Sequence, residues 1–460
     1  MYGLKVKLTL IVALAALALA GNAGLRWWAA RFPARRTPAS AGLPDAQANE
    51  QALLFFAARV RRAPDDHVAQ NKLAGCYLQR VRETGSQDDL ALAFRATHAS
   101  LQSVPSVRNL SALTALTLEE QASHAFAQAR DHAIELSQLE PDRTTPYQLL
   151  GDAFLELGEY DKAEAAFKKM AALGGVGGVE GVETETRFAR LALLHGDTTT
   201  AERRLRTALA FARNLNPPPR ETVAWCHWQL GETAFSTGDY AQAEEQYRDA
   251  LAVFPDHTPS LASLGRVRAA RGDGNDAIAW YEQAVRRLPD NIAFVGALGD
   301  LYHLAGNEKA AQARYARVEE IGWPDKNSGA VFDRPLALFY ADHDLHAAEA
   351  YANAARVYKD RPDIVGADIV AWTAFKAGKI AAAQKAIKAA LRLGTRDARL
   401  FYHAGLIALA AGDEKTAQTY LQRALALSPR FDPLQAAVAQ RALEAGKVAV
   451  SESPGNVSPL

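Results

Sequence analysis

An all-α solenoid of stacked helical hairpins is the fold class this sequence predicts, and three observations carry the prediction. Residues 236–255 read STGDYAQAEEQYRDALAVFP and residues 270–289 read ARGDGNDAIAWYEQAVRRLP, nearly the same message at an offset of 34. Alanine is abundant and β-branched residues are sparse, which favours helices with closely approaching backbones. Glycine and proline recur at fixed points of the ruler, where a hairpin needs its breaks.

The chain begins with Lys5 and Lys7, then an uncharged stretch from Leu8 to Leu25, then Arg26, Trp27 and Trp28. Two readings of residues 1–28 stand. One is a secretory signal ending at Ala18-Leu19-Ala20. The other is a membrane anchor, about the shortest that can cross a bilayer, with Trp27 and Trp28 as interfacial aromatics. Arg26 so close to the cleavage site favours the anchor. Charges on both flanks leave the orientation open, with the periplasmic side favoured. Residues 29–48 read as a flexible Pro- and Ala-rich linker, 49–445 as the solenoid with its capping helices, and 446–460 as a disordered tail.

Within the solenoid, Gly238, Gly272 and Gly306 keep the 34-residue interval, as do Ala243, Ala277 and Ala311, and Tyr247, Tyr281 and Tyr315. Leu230-Gly231, Leu264-Gly265 and Leu298-Gly299 precede them; Gly378 and Gly412 repeat the interval downstream, and Leu150-Gly151 with Gly158 fits upstream. Each unit reads as two helices. Gly238 permits the turn and Asp239 supplies a cap for the second helix. Ala243, Tyr247 and Ala250 then form one apolar stripe, and Pro255 stops the helix. A lone hairpin cannot cover its own stripe, so neighbouring units must stack. Residues 174–182 (GGVGGVEGV), 216–223 (NPPPRETV) and 323–329 (WPDKNSG) read as lengthened junctions. The helix from Leu53 to Arg62 is expected to cap one end and Pro433–Ala445 the other.

Lys+Arg and Asp+Glu both number 52, and no long basic run occurs, which argues against a nucleic-acid binder. Cys76 and Cys226 are too few for a disulfide framework or zinc knuckle. Adjacent helical residues point about a hundred degrees apart, so Cys226 and His227 cannot pair as nucleophile and base, and core packing is expected. The Gly-rich 174–182 stretch lacks the flanking strand and the Lys of a phosphate loop. His343, His346 and Glu349 lie at three-residue spacing, but with Asp344 capping the next helix His343 falls outside it. The ligand set is short, and no metal or cofactor is expected.

The pattern of Leu-Gly, Ala, Tyr/Phe, Ala and Pro over 34 residues resembles the tetratricopeptide repeat (TPR), clearly at 224–325 and 364–429 and less so at 144–173. The resemblance implies a right-handed superhelical solenoid of about ten TPR-like hairpins over residues 67–430. It also implies a concave groove lined by the first helix of each unit. Transferred by position, the groove residues are Trp225, Trp228, Glu232, Phe235, Arg266, Asp300, His303, Asp368, Trp372 and Phe375. Aromatics beside mixed charge suit a peptide or helix, although packing of the stack is an alternative for any single Trp. The Lys and Asn with which chaperone-adaptor members grip a terminal carboxylate are missing from the corresponding positions. The expected function is therefore a non-catalytic protein-interaction scaffold with a protein or peptide partner, in assembly of a cell-envelope complex and held at the membrane by its N-terminal segment. The alternatives are an enzyme subunit and a small-molecule or glycan sensor.

Overall fold

Each Leu-Gly pair and the ring sixteen positions later are two halves of one contact. A Cβ added at Gly231 would stand 2.4 Å from Tyr247, at Gly265 2.4 Å from Tyr281, at Gly299 2.5 Å from Tyr315 and at Gly151 2.2 Å from Phe167. The ring of the second helix thus lies flat on bare backbone of the first. This is the physical content of the 34-residue ruler.

The computed structural model describes residues 45–175, 177–328 and 334–452, with side chains described for 47–175, 177–322 and 334–445. Among these there are twenty-two α-helices and no strand. In chain order they are α1 (Asp45–Arg62), α2 (His67–Thr84), α3 (Gln87–Ser103), α4 (Leu110–Ala122), α5 (Phe126–Leu139), α6 (Thr144–Glu156), α7 (Tyr160–Leu173), α8 (Gly178–Leu194), α9 (Thr198–Arg213), α10 (Arg220–Ser236) and α11 (Tyr240–Val253). Then follow α12 (Thr258–Arg271), α13 (Gly274–Arg287), α14 (Ile292–Leu304), α15 (Glu308–Ser328), α16 (Arg334–Asp342), α17 (Ala347–Asp360), α18 (Ile364–Lys376), α19 (Ile380–Ala390), α20 (Ala398–Ala410), α21 (Glu414–Leu427) and α22 (Gln435–Glu452). The helices from α2 to α21 form ten consecutive hairpins, with α1 against the first and α22 against the last. Asp239 caps α11 through a 3.0 Å bond from Gln242 N–H, and Gly238 before it takes a φ of 80°.

Local boundaries differ from the sequence expectation at several points. The first helix begins at Asp45, inside the expected linker, and the last continues to Glu452, beyond Ala445. Residues 178–182 belong to α8, because Gly181 lets Phe211 pack within 2.9 Å of where its Cβ would be. At the second junction α10 begins at Arg220, and α15 runs on to Ser328 through the third. Asp344 does not cap α17: it sits at a φ of 56° and accepts from Lys376 at 2.7 Å, leaving His346 at the N-cap. The signal-or-anchor reading of residues 1–28 lies outside the described residues. Among the described residues no helix is long and apolar enough to cross a membrane.

One feature of the architecture has no counterpart in the 34-residue pattern. The stack curves until its late hairpins touch its early ones. The Tyr160 hydroxyl accepts the Ile364 N–H at 2.9 Å, Arg361 pairs with Glu156, and Thr395 donates to the Leu194 carbonyl. Tyr240 meets Ser428 through their hydroxyls at 2.9 Å, and Arg430 donates to the Ala270 carbonyl at 2.8 Å. The turn glycines explain how the edges come so near. A Cβ at Gly158 would stand 2.5 Å from the Pro362 carbonyl oxygen, at Gly196 2.6 Å from that of Gly394, and at Gly238 3.0 Å from that of Leu427. The equivalent Gly272, Gly306, Gly378 and Gly412 have nothing within 4 Å, so the close approach at the turns covers three hairpins. An open groove was expected; here the concave face is closed laterally by the chain itself.

Candidate functional site

Inside that closed curve, the first helices α10, α12 and α14 lie side by side, so residues 34 apart line up across them. Glu232, Arg266 and Asp300 are such a row. Glu232 Oε1 accepts from Arg266 at 2.6 Å, from the Tyr247 hydroxyl at 2.8 Å and from Ser263 Oγ at 2.8 Å. Trp228 Nε1 donates to the same Ser263 oxygen at 3.0 Å, and the Arg266 guanidinium lies 4.1 Å over the Phe235 ring. Burial alone would raise the Glu232 carboxyl, but Arg266 and the hydroxyl donors outweigh it and hold the group below its ordinary value. Asp300 Oδ1 accepts from the Tyr315 hydroxyl at 2.9 Å and meets His343 Nε2 at 2.7 Å. Burial opposes charge on His343, yet Asp300 and the Phe339 carbonyl, 2.7 Å from Nδ1, raise its pKa above the usual histidine value.

Trp228, Glu232, Arg266 and Asp300 line one cavity of about 510 Å³. Its far wall comes from the later hairpins and the loop before α22: Asp342, His343, Arg399, Phe431 and Asp432. None of these five was singled out as a groove residue from sequence. They stand off the 34-residue row: Asp342 and His343 come from the end of α16, packed directly on α14, and Arg399, Phe431 and Asp432 from farther along the stack.

The other expected groove residues disperse. Trp225, three positions before Trp228, opens into a second cavity of about 570 Å³ with Asp152, Glu156, Arg187, Arg190 and Arg361. Phe235 is buried and serves as the platform for Arg266. His303 is exposed and bonded to Glu308 at 2.7 Å. Asp368 holds the buried His403 ring nitrogen Nδ1 at 2.9 Å. Trp372, expected in the groove, is instead 1% exposed, stacked on His403 at 4.1 Å and on Phe375 at 5.1 Å, with Nε1 donating to Asp342. It packs the stack and presents no face to a partner. The rings of Phe375 and Trp372 support each other, so this pair is part of the wall behind the cavity.

Cys226 is fully buried, and burial pushes its thiol up to about 12, the opposite of a reactive thiolate. His227 contacts Arg213 at 2.8 Å and Gln246 at 2.9 Å, away from that sulfur's chemistry. Both ring nitrogens of His343 are engaged, and His346 stands 3.6 Å from Glu319 and 4.0 Å from Glu349. Among the described residues no group of three or more His, Cys, Asp or Glu side chains is arranged to hold a metal.

Family profiles described as tetratricopeptide repeat match residues 145–172, 183–256, 229–292 and 371–430. Over 201 residues the chain is 29% identical to "Cellulose synthase operon protein C" of Xanthomonas axonopodis pv. citri (strain 306), covering 40% of this chain and 12% of that protein. It is 26% identical over 101 residues to "Photosystem I assembly protein Ycf3" of Rippkaea orientalis, covering 21% of this chain and 58% of that one. The match thus spans under two thirds of either relative. Similar solved structures include PilW, a type IV pilus biogenesis factor (18% identity, TM-score 0.37, 45% of this chain and 91% of that one). Yeast Tom70 is another (14% identity, TM-score 0.38, 89% and 94%).

Proposed function

We propose that this chain, a tetratricopeptide-repeat protein, is a non-catalytic scaffold that holds a peptide or helix of a protein partner on the inner face of its superhelix. The observation that carries the reading is the convergence of Trp228, Glu232, Arg266 and Asp300 on one cavity, with an aromatic anchor beside charges already fixed by hydrogen bonds. Such a surface is organised before binding, so little ordering entropy opposes the complex. Placement in a cell-envelope assembly, tethered through residues 1–28, rests on the sequence of that segment. The assembly role carried in one relative's name supports the assembly part of that reading alone.

A second reading is favoured by the seam: a laterally closed cavity of about 510 Å³ falls in the size range of small-ligand pockets. Proximity labelling in the native cell separates the two. Trp228→Ala should lower recovery of a defined set of neighbours while helix content stays intact. Recovery unchanged from wild type would remove the cavity from the interface and leave the small-ligand reading.

A further inference from the structure

We propose that the Trp228 cavity receives a basic side chain, lysine or arginine, from the partner segment, and that Asp342 is the carboxylate that pairs with it. The inference rests on the scaffold reading above and adds the chemistry of the partner.

Four carboxylates line the cavity: Glu232, Asp300, Asp342 and Asp432. Three of them already hold a cation of the chain, through Glu232–Arg266 at 2.6 Å, Asp300–His343 at 2.7 Å and Asp432–Arg399 at 3.1 Å. Asp342 does not. Its Oδ1 accepts from two neutral donors, Trp372 Nε1 at 2.8 Å and Gln435 Nε2 at 2.6 Å. Its Oδ2 accepts no hydrogen bond among the described residues and is not sealed from solvent. Asp342 lines the cavity with one carboxylate oxygen free of hydrogen bonds, and the Arg399 guanidinium attracts it but is bonded to Asp432, so four carboxylates share the three cations Arg266, His343 and Arg399.

The chain's own cations are committed elsewhere. Arg399 lines the same cavity but is bonded to Asp432, and Lys376, above the Trp372 ring, is bonded to Asp344. Burial raises the Asp342 carboxyl above the usual range against the attraction of Arg399 and His403, and a cation brought in by a partner would shift it back toward the ionised form. Trp228, Phe294, Phe339 and Phe431 supply apolar walls for the methylene stem of a long basic side chain, and their ring faces favour a cation. The Trp225 cavity has the opposite balance, three arginines against two carboxylates, so an acidic side chain is directed away from Asp342.

The test is selection from a random dodecapeptide library displayed on phage, with the full chain immobilised as wild type and as Asp342→Asn. The asparagine keeps the Oδ1 acceptor for Trp372 and Gln435, and thermal unfolding checks that the variant folds. Wild type should enrich peptides carrying Lys or Arg among apolar residues, and the variant should capture peptides without that enrichment. An enriched arginine peptide resynthesised with citrulline, its neutral isostere, should bind wild type about tenfold more weakly, the order of a desolvated charge pair. That measurement needs no variant. Peptides captured without basic enrichment, or a citrulline peptide binding within twofold of its parent, would overturn the cation site and leave the scaffold standing. No captured peptides at all would overturn the scaffold reading itself.

Discussion

Replacing glycine by alanine in the middle of two helices of this chain should have opposite effects on stability. In α10 an ideal Cβ at Gly231 falls 2.4 Å from Tyr247 Cε1 and 2.6 Å from Cδ1, where carbon atoms normally sit about 3.5–4.0 Å apart. The ring cannot step aside, because Tyr247 is fully buried and its hydroxyl donates to Glu232 at 2.8 Å. Overpacking costs about 1–3 kcal/mol, and loss of a hydrogen bond to a charged acceptor about 1.5–3 kcal/mol. Against these stands a gain of about 1 kcal/mol in helix propensity. Gly231→Ala is therefore expected to destabilise by roughly 1.5–5 kcal/mol. Gly75 lies in mid-α2, exposed, with nothing within 4 Å of its virtual Cβ, so Gly75→Ala should stabilise by about 0.5–1 kcal/mol. Urea unfolding with hydrogen exchange on the affected hairpins reads both, and Gly231→Ala in a Tyr247→Ala background should lose most of its penalty. A shift of the same sign at both glycines, or a Gly231 penalty that survives removal of the ring, would refute the glycine–ring contact as the basis of the repeat.

The remaining predictions concern charge, packing and closure. Burial raises the Glu119 carboxyl to about 8, so the folded state keeps a proton that the unfolded state releases above 4.5. Glu119→Gln should leave stability unchanged below pH 4.5 and raise it as pH increases, by roughly 3 kcal/mol at pH 7 in thermal or urea melts. His343 has the opposite sign: its raised pKa contributes stability in full below the unfolded value near 6.5, lost as pH rises through the folded value. In His343→Gln that step should vanish from the pH–stability curve. Trp372→Ala should cost about 3–5 kcal/mol in unfolding experiments, as for any large core ring, while Trp228→Ala should chiefly weaken partner capture. Gly158→Ala forces a side chain to a φ of 70° and into the Pro362 carbonyl, so it should raise hydrogen exchange at Ile364 and along the seam.

How much of this could be read before folding follows from the range of each interaction. The hairpin is a local device: Gly238, Asp239, Tyr247 and Gly231 all lie within one unit, so one unit's sequence contains both halves of its contacts. The row Glu232, Arg266, Asp300 is still legible, because one repeat interval separates its members in sequence and one helix separates them in space. The seam is not. Tyr160 with Ile364 and Tyr240 with Ser428 are about two hundred residues apart, and the curvature that joins them is the sum of many small rotations between neighbouring hairpins. No single residue encodes that sum. The turn glycines carry only an ambiguous trace of it, since Gly158 at the seam and Gly306 away from it both have a φ near 70° and differ only in what lies across from them. The position-based groove assignment places Trp228, Glu232, Arg266 and Asp300 on the cavity and misplaces Trp372. It treats every first helix as facing open space, yet Trp372 faces His403 and Phe375, while the carboxylate to which its indole donates, Asp342, is the one that looks into the cavity. Packing between adjacent hairpins thus exchanges the roles of neighbours: an aromatic expected in the groove becomes the support of an acid that lines the cavity.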